Sequence, residues 1–394
     1  MAAVSLASAT GASAVAGVAR AQSPTVAAAK AAKVPAGFRA NSITWVSPER
    51  GWVLGSVPCA SPASGAPPSA GCAEVIGTTN GGKTWSLTGK VGTYLVQDAQ
   101  PADNDVSEIR FATSKVGWAF DPGLFRTSNG GRSWTKVTLP KGGKQVVSLA
   151  ASASGGYLAV TPCANGSEAG DCNQKGYTFW RTTTLTGGWK RIPLKTAIPA
   201  ATFDNGADIA VHGKTVYLLW SATNNFGTVF HDKLYASTNG VSFSARPDPC
   251  VGLALTQAVP TSKSRVDLLC ANAIGGGQTT KAVYRSKDTG RKDTSAGEPP
   301  GAGDYPQLAA SPSGDLAVSS SFAASYIFTN DTGKTSWTAV VNETDGGLGW
   351  NDIVYVSGRE AWIVHEPAQD ACGCALGQVF VTRDGGQHWT LVQL

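Results

Sequence analysis

The sequence predicts an all-β chain, a single seven-bladed β-propeller of four-stranded antiparallel blades. Three observations lead there: a turn string recurs about every fifty residues, a pair of short apolar strands precedes each copy, and the composition suits turns. Of 394 residues only 15% are charged and one is Met, while 47 are Gly and 12 are Trp. Such a balance favours many short strands joined by tight turns over long helices.

The clearest copies of the string are Thr78-Thr79-Asn80-Gly81-Gly82-Lys83-Thr84-Trp85, Thr127-Ser128-Asn129-Gly130-Gly131-Arg132-Ser133-Trp134 and Thr382-Arg383-Asp384-Gly385-Gly386-Gln387-His388-Trp389. Thr329 to Trp337, with Asp331 inside it, carries one inserted residue. Ser237 to Phe243 around Asn239, Ser286 to Gly290 around Asp288, and Gly187-Gly188-Trp189 are degenerate copies. The chemistry is that of a hairpin. Asn or Asp bonds to nearby backbone and starts a turn, Gly accepts positive φ, Ser or Thr adds a local bond, and Trp restarts the strand while covering the turn. Structural roles are therefore expected for Asn80, Trp85, Asn129, Trp134, Asn239, Asp288, Asp331, Trp337, Asp384 and Trp389.

Upstream of the copies lie strand pairs such as Ile43 to Val46 with Gly51 to Leu54, and Ile109 to Ala112 with Gly117 to Phe120. Each unit then reads strand A, short turn, strand B, variable loop, strand C, recurrent turn, strand D. Trp52, Trp118 and Trp362 are expected to fill the space between blades. This order puts the A–B and C–D turns on one face and the longer B–C and D–A loops on the other, where binding usually resides on a rigid scaffold. All eight cysteines map to that second face. Blade geometry favours the pairs Cys59–Cys72, Cys163–Cys172 and Cys250–Cys270. Cys372 and Cys374 form a fourth, strained pair, or with His365 bind a soft metal; no metal or other cofactor is expected.

Residues 1–21 are small and apolar and end in Ala19-Arg20-Ala21, as a secretory signal peptide does. Residues 22–37 are an Ala-rich linker, and the propeller is expected over 38–394. Downstream of residue 21 no stretch reaches the ~18 apolar residues of a membrane-spanning helix. The formal charge is +5, with Lys and Arg scattered, so the electrostatic footprint of a nucleic-acid binder is missing. A secreted or envelope-located monomer is expected, with disulfides in an oxidising compartment.

Gly51-Trp52-Val53-Leu54-Gly55 before Thr79 to Trp85, and Val116-Gly117-Trp118-Ala119 before Phe125 to Gly131, resemble two related groups. One is the sialidase-like Asp-box (BNR repeat) propellers, whose Asp-box is the turn between strands C and D. The other is the photosystem II stability/assembly-factor type of propeller. The resemblance spans about 40 to 394 and implies the fold; both catalysts and pure binders share the scaffold. Exo-sialidases hold a substrate carboxylate with three arginines, the first in an Arg-Ile-Pro motif, and use an Asp acid/base with a Tyr–Glu nucleophile pair. Arg39, in Phe38-Arg39-Ala40-Asn41, stands about where the first arginine would, without the Ile-Pro; Arg246 and Arg285 are further arginines. No Asp lies between Arg39 and Asp98 to serve as that acid/base.

Glycoside hydrolysis demands paired carboxylates. Candidates on the loop face are Asp103 and Asp105 before the second blade, and Glu343, Asp345 and Asp352 before the seventh. The sequence thus supports a propeller that binds a glycan or protein ligand through disulfide-stapled loops, and leaves open a sialidase-like glycosidase with divergent catalytic residues.

Overall fold

The computed structural model describes residues 33–59, 71–95, 104–162, 176–194, 202–224, 231–272, 278–321, 325–343, 349–366 and 377–394. They form seven four-stranded antiparallel sheets, each built from four consecutive strands, and contain no helix. This is the seven-bladed propeller that the repeat predicts. The innermost A strands are Arg39–Ser47, Glu108–Phe111, Gln145–Ser152, Thr202–His212, Ala254–Pro260, Asp304–Ala310 and Gly349–Tyr355.

Burial grades outward across each blade. The B strands, covered on both faces by neighbouring blades, are almost entirely buried, as in Val266–Ala271 and Leu316–Ser321. That is why they read as apolar runs rather than as alternating patterns. Of the outermost D strands, Thr135–Lys136, Lys190–Arg191 and Thr390–Leu391 are exposed and two residues each, and short edges of this kind limit pairing with other chains.

Five of the seven C–D turns share one hydrogen-bond pattern. In the first blade Thr78 Oγ1 donates to Asn80 Oδ1 (2.9 Å) and accepts from Gly82 N (3.0 Å), while Asn80 Oδ1 accepts from Thr84 N (3.0 Å). The same bonds recur with Thr127, Asn129 and Ser133, with Ser286, Asp288 and Lys292, and with Thr382, Asp384 and His388. Asn239 Oδ1 likewise accepts from Ser242 N.

Two successive residues take positive φ, Gly81 at 68° and Gly82 at 73°. In the degenerate copy the first of them is Thr289, at 66°; Arg291 Nη1 donates to its hydroxyl at 2.8 Å. One expectation is corrected. Asp331 does not play the part of Asn80: its carboxylate pairs with Lys334 at 2.6 Å, and the inserted residue hands the turn to buried Asn330, whose amide donates to the carbonyls of Lys334 and Ser336.

Trp52, Trp118 and Trp362 are each at most 1% exposed and lie between blades. Trp52 stacks on Phe111 of the second blade with centroids 3.7 Å apart and donates to Gly130 O. Trp118 packs in one cluster with Val146 and Leu158 of the third blade. Trp362 meets Trp45 at 4.7 Å and Trp85 at 6.0 Å across the seam between the last and first blades. A Cβ on Gly82 would lie 2.1 Å from the Trp362 ring, so only glycine admits this contact.

Cys59 bonds to Cys72 and Cys250 to Cys270, with Cα atoms 5.2 and 5.5 Å apart. Both follow or end strands on the B–C/D–A rim. Cys163, Cys172, Cys372 and Cys374 lie outside the described residues. No helix among the described residues is long and apolar enough to cross a membrane.

Replacing Trp362 by Ala should cost about 3–5 kcal/mol, the usual penalty for emptying a buried indole site. Thr127→Val, which keeps shape and removes the turn hydroxyl, should cost about 1 kcal/mol. Urea titration measures both; a Trp362→Ala loss below that of Thr127→Val would contradict the closure role given to the indole.

Candidate functional site

The seven A strands surround a central channel of about 570 Å³, within the usual range of ligand cavities. In each strand a polar residue precedes an apolar one: Ser42-Ile43, Glu108-Ile109, Ser148-Leu149, Asp208-Ile209, Gln257-Ala258, Gln307-Leu308 and Asp352-Ile353. The polar members line the channel.

Their side chains join the blades. Ser42 Oγ accepts from Ile109 N at 3.1 Å, Ser148 Oγ from Ile209 N at 3.1 Å, and Asp208 Oδ2 from Ala258 N at 3.2 Å. Gln257 Oε1 accepts from Leu308 N and Gln307 Oε1 from Asp352 N, both at 2.6 Å, and Asp352 Oδ2 accepts from Ile43 N at 2.7 Å. Six of the seven steps around the ring are bridged in this way. The exception lies between the second and third blades, where Glu108 holds the corresponding position and pairs instead with Arg110 of its own strand, at 3.0 Å.

Arg110 is the hub of the charged part of the wall. Its guanidinium reaches past Ser42 of the first blade to Asp352 of the seventh, Nη1 to Oδ2 at 3.2 Å and Nη2 to Oδ1 at 3.1 Å. Nη1 also donates to Ile109 O at 2.8 Å. Burial disfavours its charge, but Asp352 and Glu108 outweigh burial and hold its pKa above the ordinary value. Burial pushes the Glu108 carboxyl up to about 7, against the pull of Arg110 and with help from Asp352, Asp121 and Asp208. Its side chain nonetheless keeps 39% of its surface exposed. Burial also raises Asp208, against the hydrogen bonds it accepts, and Glu366, at the end of a B strand that also lines the channel.

The sequence candidates distribute unevenly. Asp352 lines the channel, but from strand Gly349–Tyr355 rather than from a loop; a bulge between Asn351 and Val354 and a φ of 50° turn it inward. Glu343 ends strand Thr338–Glu343 at the blade edge, opposite Ser325. Arg39 opens the first A strand, half-buried, outside the channel lining, and Asp105 offers its carbonyl to Gly123 N. Asp103 and Asp345 lie outside the described residues. Arg246 donates to Thr289 O and Arg285 is a buried partner of Asp267 at 2.6 Å, so both serve the scaffold. Of the residues sequence reasoning missed, Glu108, Asp208, Gln257 and Gln307 were signalled by the polar–apolar pair repeated once per blade, while Arg110, which follows such a pair, carried no signal of its own. Among the described residues Asp232, Asp248 and Cys250 lie close enough to share an ion. Cys250 is committed to its disulfide, which leaves two carboxylates and no built metal centre.

No protein-family model and no curated protein matches the sequence. Among solved structures the chain is similar to YCF48 bound to D1 peptide, at 15% identity over 90% of this chain and 96% of that one, with a TM-score of 0.52. It is similar to a prolyl endopeptidase at 14% identity, over 90% of this chain and 50% of that one, TM-score 0.55. Virginiamycin B lyase from Staphylococcus aureus matches at 11% identity over 88% and 95%, TM-score 0.50. Arabinanase and sialidase propellers are among the further matches. At these identities the likeness is one of fold.

Asp352→Ala should cost roughly 3 kcal/mol, because it takes from Arg110 its bidentate partner, leaving Glu108 and one carbonyl, and leaves the Ile43 amide unpaired. Asp352→Asn, which still accepts from that amide, should cost about half as much; chemical denaturation distinguishes them. A second expectation concerns pH. Between pH 4.5 and about 7 folded Glu108 retains a proton that the unfolded chain has released, so its contribution to stability is full below that window and is lost as pH rises through it. Thermal melts of Glu108→Gln should show a shallower decline than wild type, though not a flat one, since burial also lifts Asp232 to about 6. Parallel curves would contradict this.

Proposed function

We propose that the chain is an extracytoplasmic binding propeller that presents its B–C and D–A connections to a glycan or protein ligand. The single observation behind this is that both described disulfides fasten connections on that rim, whereas on the opposite rim five of the seven C–D turns repeat one tight pattern. Disulfides of this kind persist in oxidising compartments, which supports reading residues 1–21 as an export signal and 22–37 as a tether. Loops stapled over a rigid scaffold lose less freedom on binding.

The channel's charged groups are largely engaged with one another. Arg110 already satisfies Glu108, Asp352 and a carbonyl, which leaves little of it for a substrate carboxylate. One observation favours a second reading as a sialidase-like glycosidase: Glu108, a carboxyl protonated to about pH 7, and Asp352 flank the same arginine, as an acid and a base would.

Purified protein tested on a glycan array and on a fluorogenic sialoside separates the two. The binding reading expects retention of ligand without turnover, and at least ten-fold weaker binding in Cys250→Ser/Cys270→Ser if ordering those loops is worth 1.4 kcal/mol or more. Turnover abolished by Glu108→Gln or Arg39→Ala would establish the glycosidase instead.

A further inference from the structure

The Lys and Arg residues that are scattered along the sequence are brought together by the fold. Within a blade the C–D turn is bonded to the A–B turn: Gly81 N donates to Glu49 O at 3.0 Å, Gly130 N to Lys115 O at 2.8 Å and Thr289 N to Ser264 O at 2.7 Å. Between blades, Ser152 Oγ donates to Gly213 O at 2.7 Å, Thr215 Oγ1 to Lys263 O at 3.1 Å and Arg246 Nε to Thr289 O at 2.7 Å. The turns on this face are therefore cross-linked along the chain's first five blades, and what they carry is presented on a fixed base.

What they carry is mostly positive charge. The A–B and C–D turns of the first five blades hold nine Lys and Arg and two acids, Glu49 and Asp288. That excess of seven exceeds the +5 of the entire chain. Eight of the nine bases are exposed, among them Lys83, Arg132, Lys214, Lys263, Lys287 and Lys292. In the corresponding turns of the sixth and seventh blades, by contrast, three bases meet four acids. The basic region is an arc over one side of the face, and its field attracts polyanions.

A second observation selects among polyanions. The fourth C–D turn, inside the arc, has no charge and exposes Val241, at 49% one of the few large apolar side chains left open. The preceding residue, Gly240, stands beside the Lys214 turn, where a Cβ would lie 3.7 Å from Lys214 O. Binders of single-stranded nucleic acid place aromatic rings among their bases for stacking. Here the turn aromatics pack inward: Trp85 is buried and Trp134 meets Phe111 edge-on at 6.1 Å. Bases arrayed around a projecting aliphatic side chain match acidic headgroups over hydrocarbon, where each base near the surface adds attraction and an apolar tip enters the boundary.

We propose that this face docks on an anionic lipid bilayer, with the turns of the first five blades against acidic headgroups, Val241 at the hydrocarbon boundary and the loop rim directed away. The proposal is independent of what the loop rim binds.

Sedimentation with vesicles tests it, using phosphatidylcholine alone and phosphatidylcholine with roughly one-third phosphatidylglycerol. The protein should pellet with the anionic vesicles only, and less of it as NaCl rises from about 0.05 to about 0.5 M. Lys287→Glu/Lys292→Glu should weaken binding at least ten-fold. Val241→Ser should weaken it about three-fold and leave the salt response unchanged. Lys141→Glu/Lys144→Glu makes the same change in net charge on the opposite rim, in the exposed connection from the second blade to the third, and should stay within about two-fold of wild type. All these side chains are exposed, and thermal midpoints level with wild type confirm that the variants fold. Equal losses in the two double variants would reduce the attraction to net charge and overturn the proposal. Absence of binding to anionic vesicles would overturn it too, as would tighter binding to a heparin fragment than to the vesicles, which would assign the arc to a soluble polyanion.

Discussion

The propeller depends on a ring of hydrogen bonds at its axis. Six of the seven innermost strands offer a polar side chain to a backbone N–H of the next, among them Ser42 to Ile109 and Asp352, which returns to Ile43. An innermost strand has no sheet neighbour on its channel side, and buried amides left without partners are costly. The side-chain acceptors meet that demand and fix the angle between blades. Arg110 adds a bond of longer reach, linking the second blade to the seventh over the first. It spans the seam where the two ends of the propeller meet, and no strand is shared across that seam.

The arrangement also constrains the channel's chemistry. Carboxyls and carboxamides that could act on a ligand already bind the blades together, and a group bonded to structure is less free to change partner or protonation state. Glu108 is the exception, released from the ring and held by an arginine.

The sequence made the outer architecture legible and the inner one much less so. The turns are local: Thr78, Asn80 and Gly82 satisfy one another within five positions, so their chemistry is printed as a string. The wall of the channel is not local. Ser148 serves Ile209, 61 positions away, and Gln257 serves Leu308, 51 away; no single polar residue in a strand separates a channel wall from open solvent, and only its recurrence once per blade marks it. Asp352 was visible as an acid but not as part of a strand, because its positive φ and the bulge around it depend on the seventh blade's fit against the first. Asp331 misled in the opposite sense: it matches the turn string, yet one inserted residue moves the task to Asn330.

Because every blade is a contiguous run of chain, the ring has a single place where covalent continuity fails. Traction applied to the two ends would not unzip a sheet strand by strand; it would bear first on the contacts of Asp352, on the Trp45–Trp362 pair and on the bond from Ala40 N to Gly377 O. The molecule is in this respect a split washer, with six continuous joints and one gap. Joining the ends elsewhere in the circle would relocate the gap without altering any sheet.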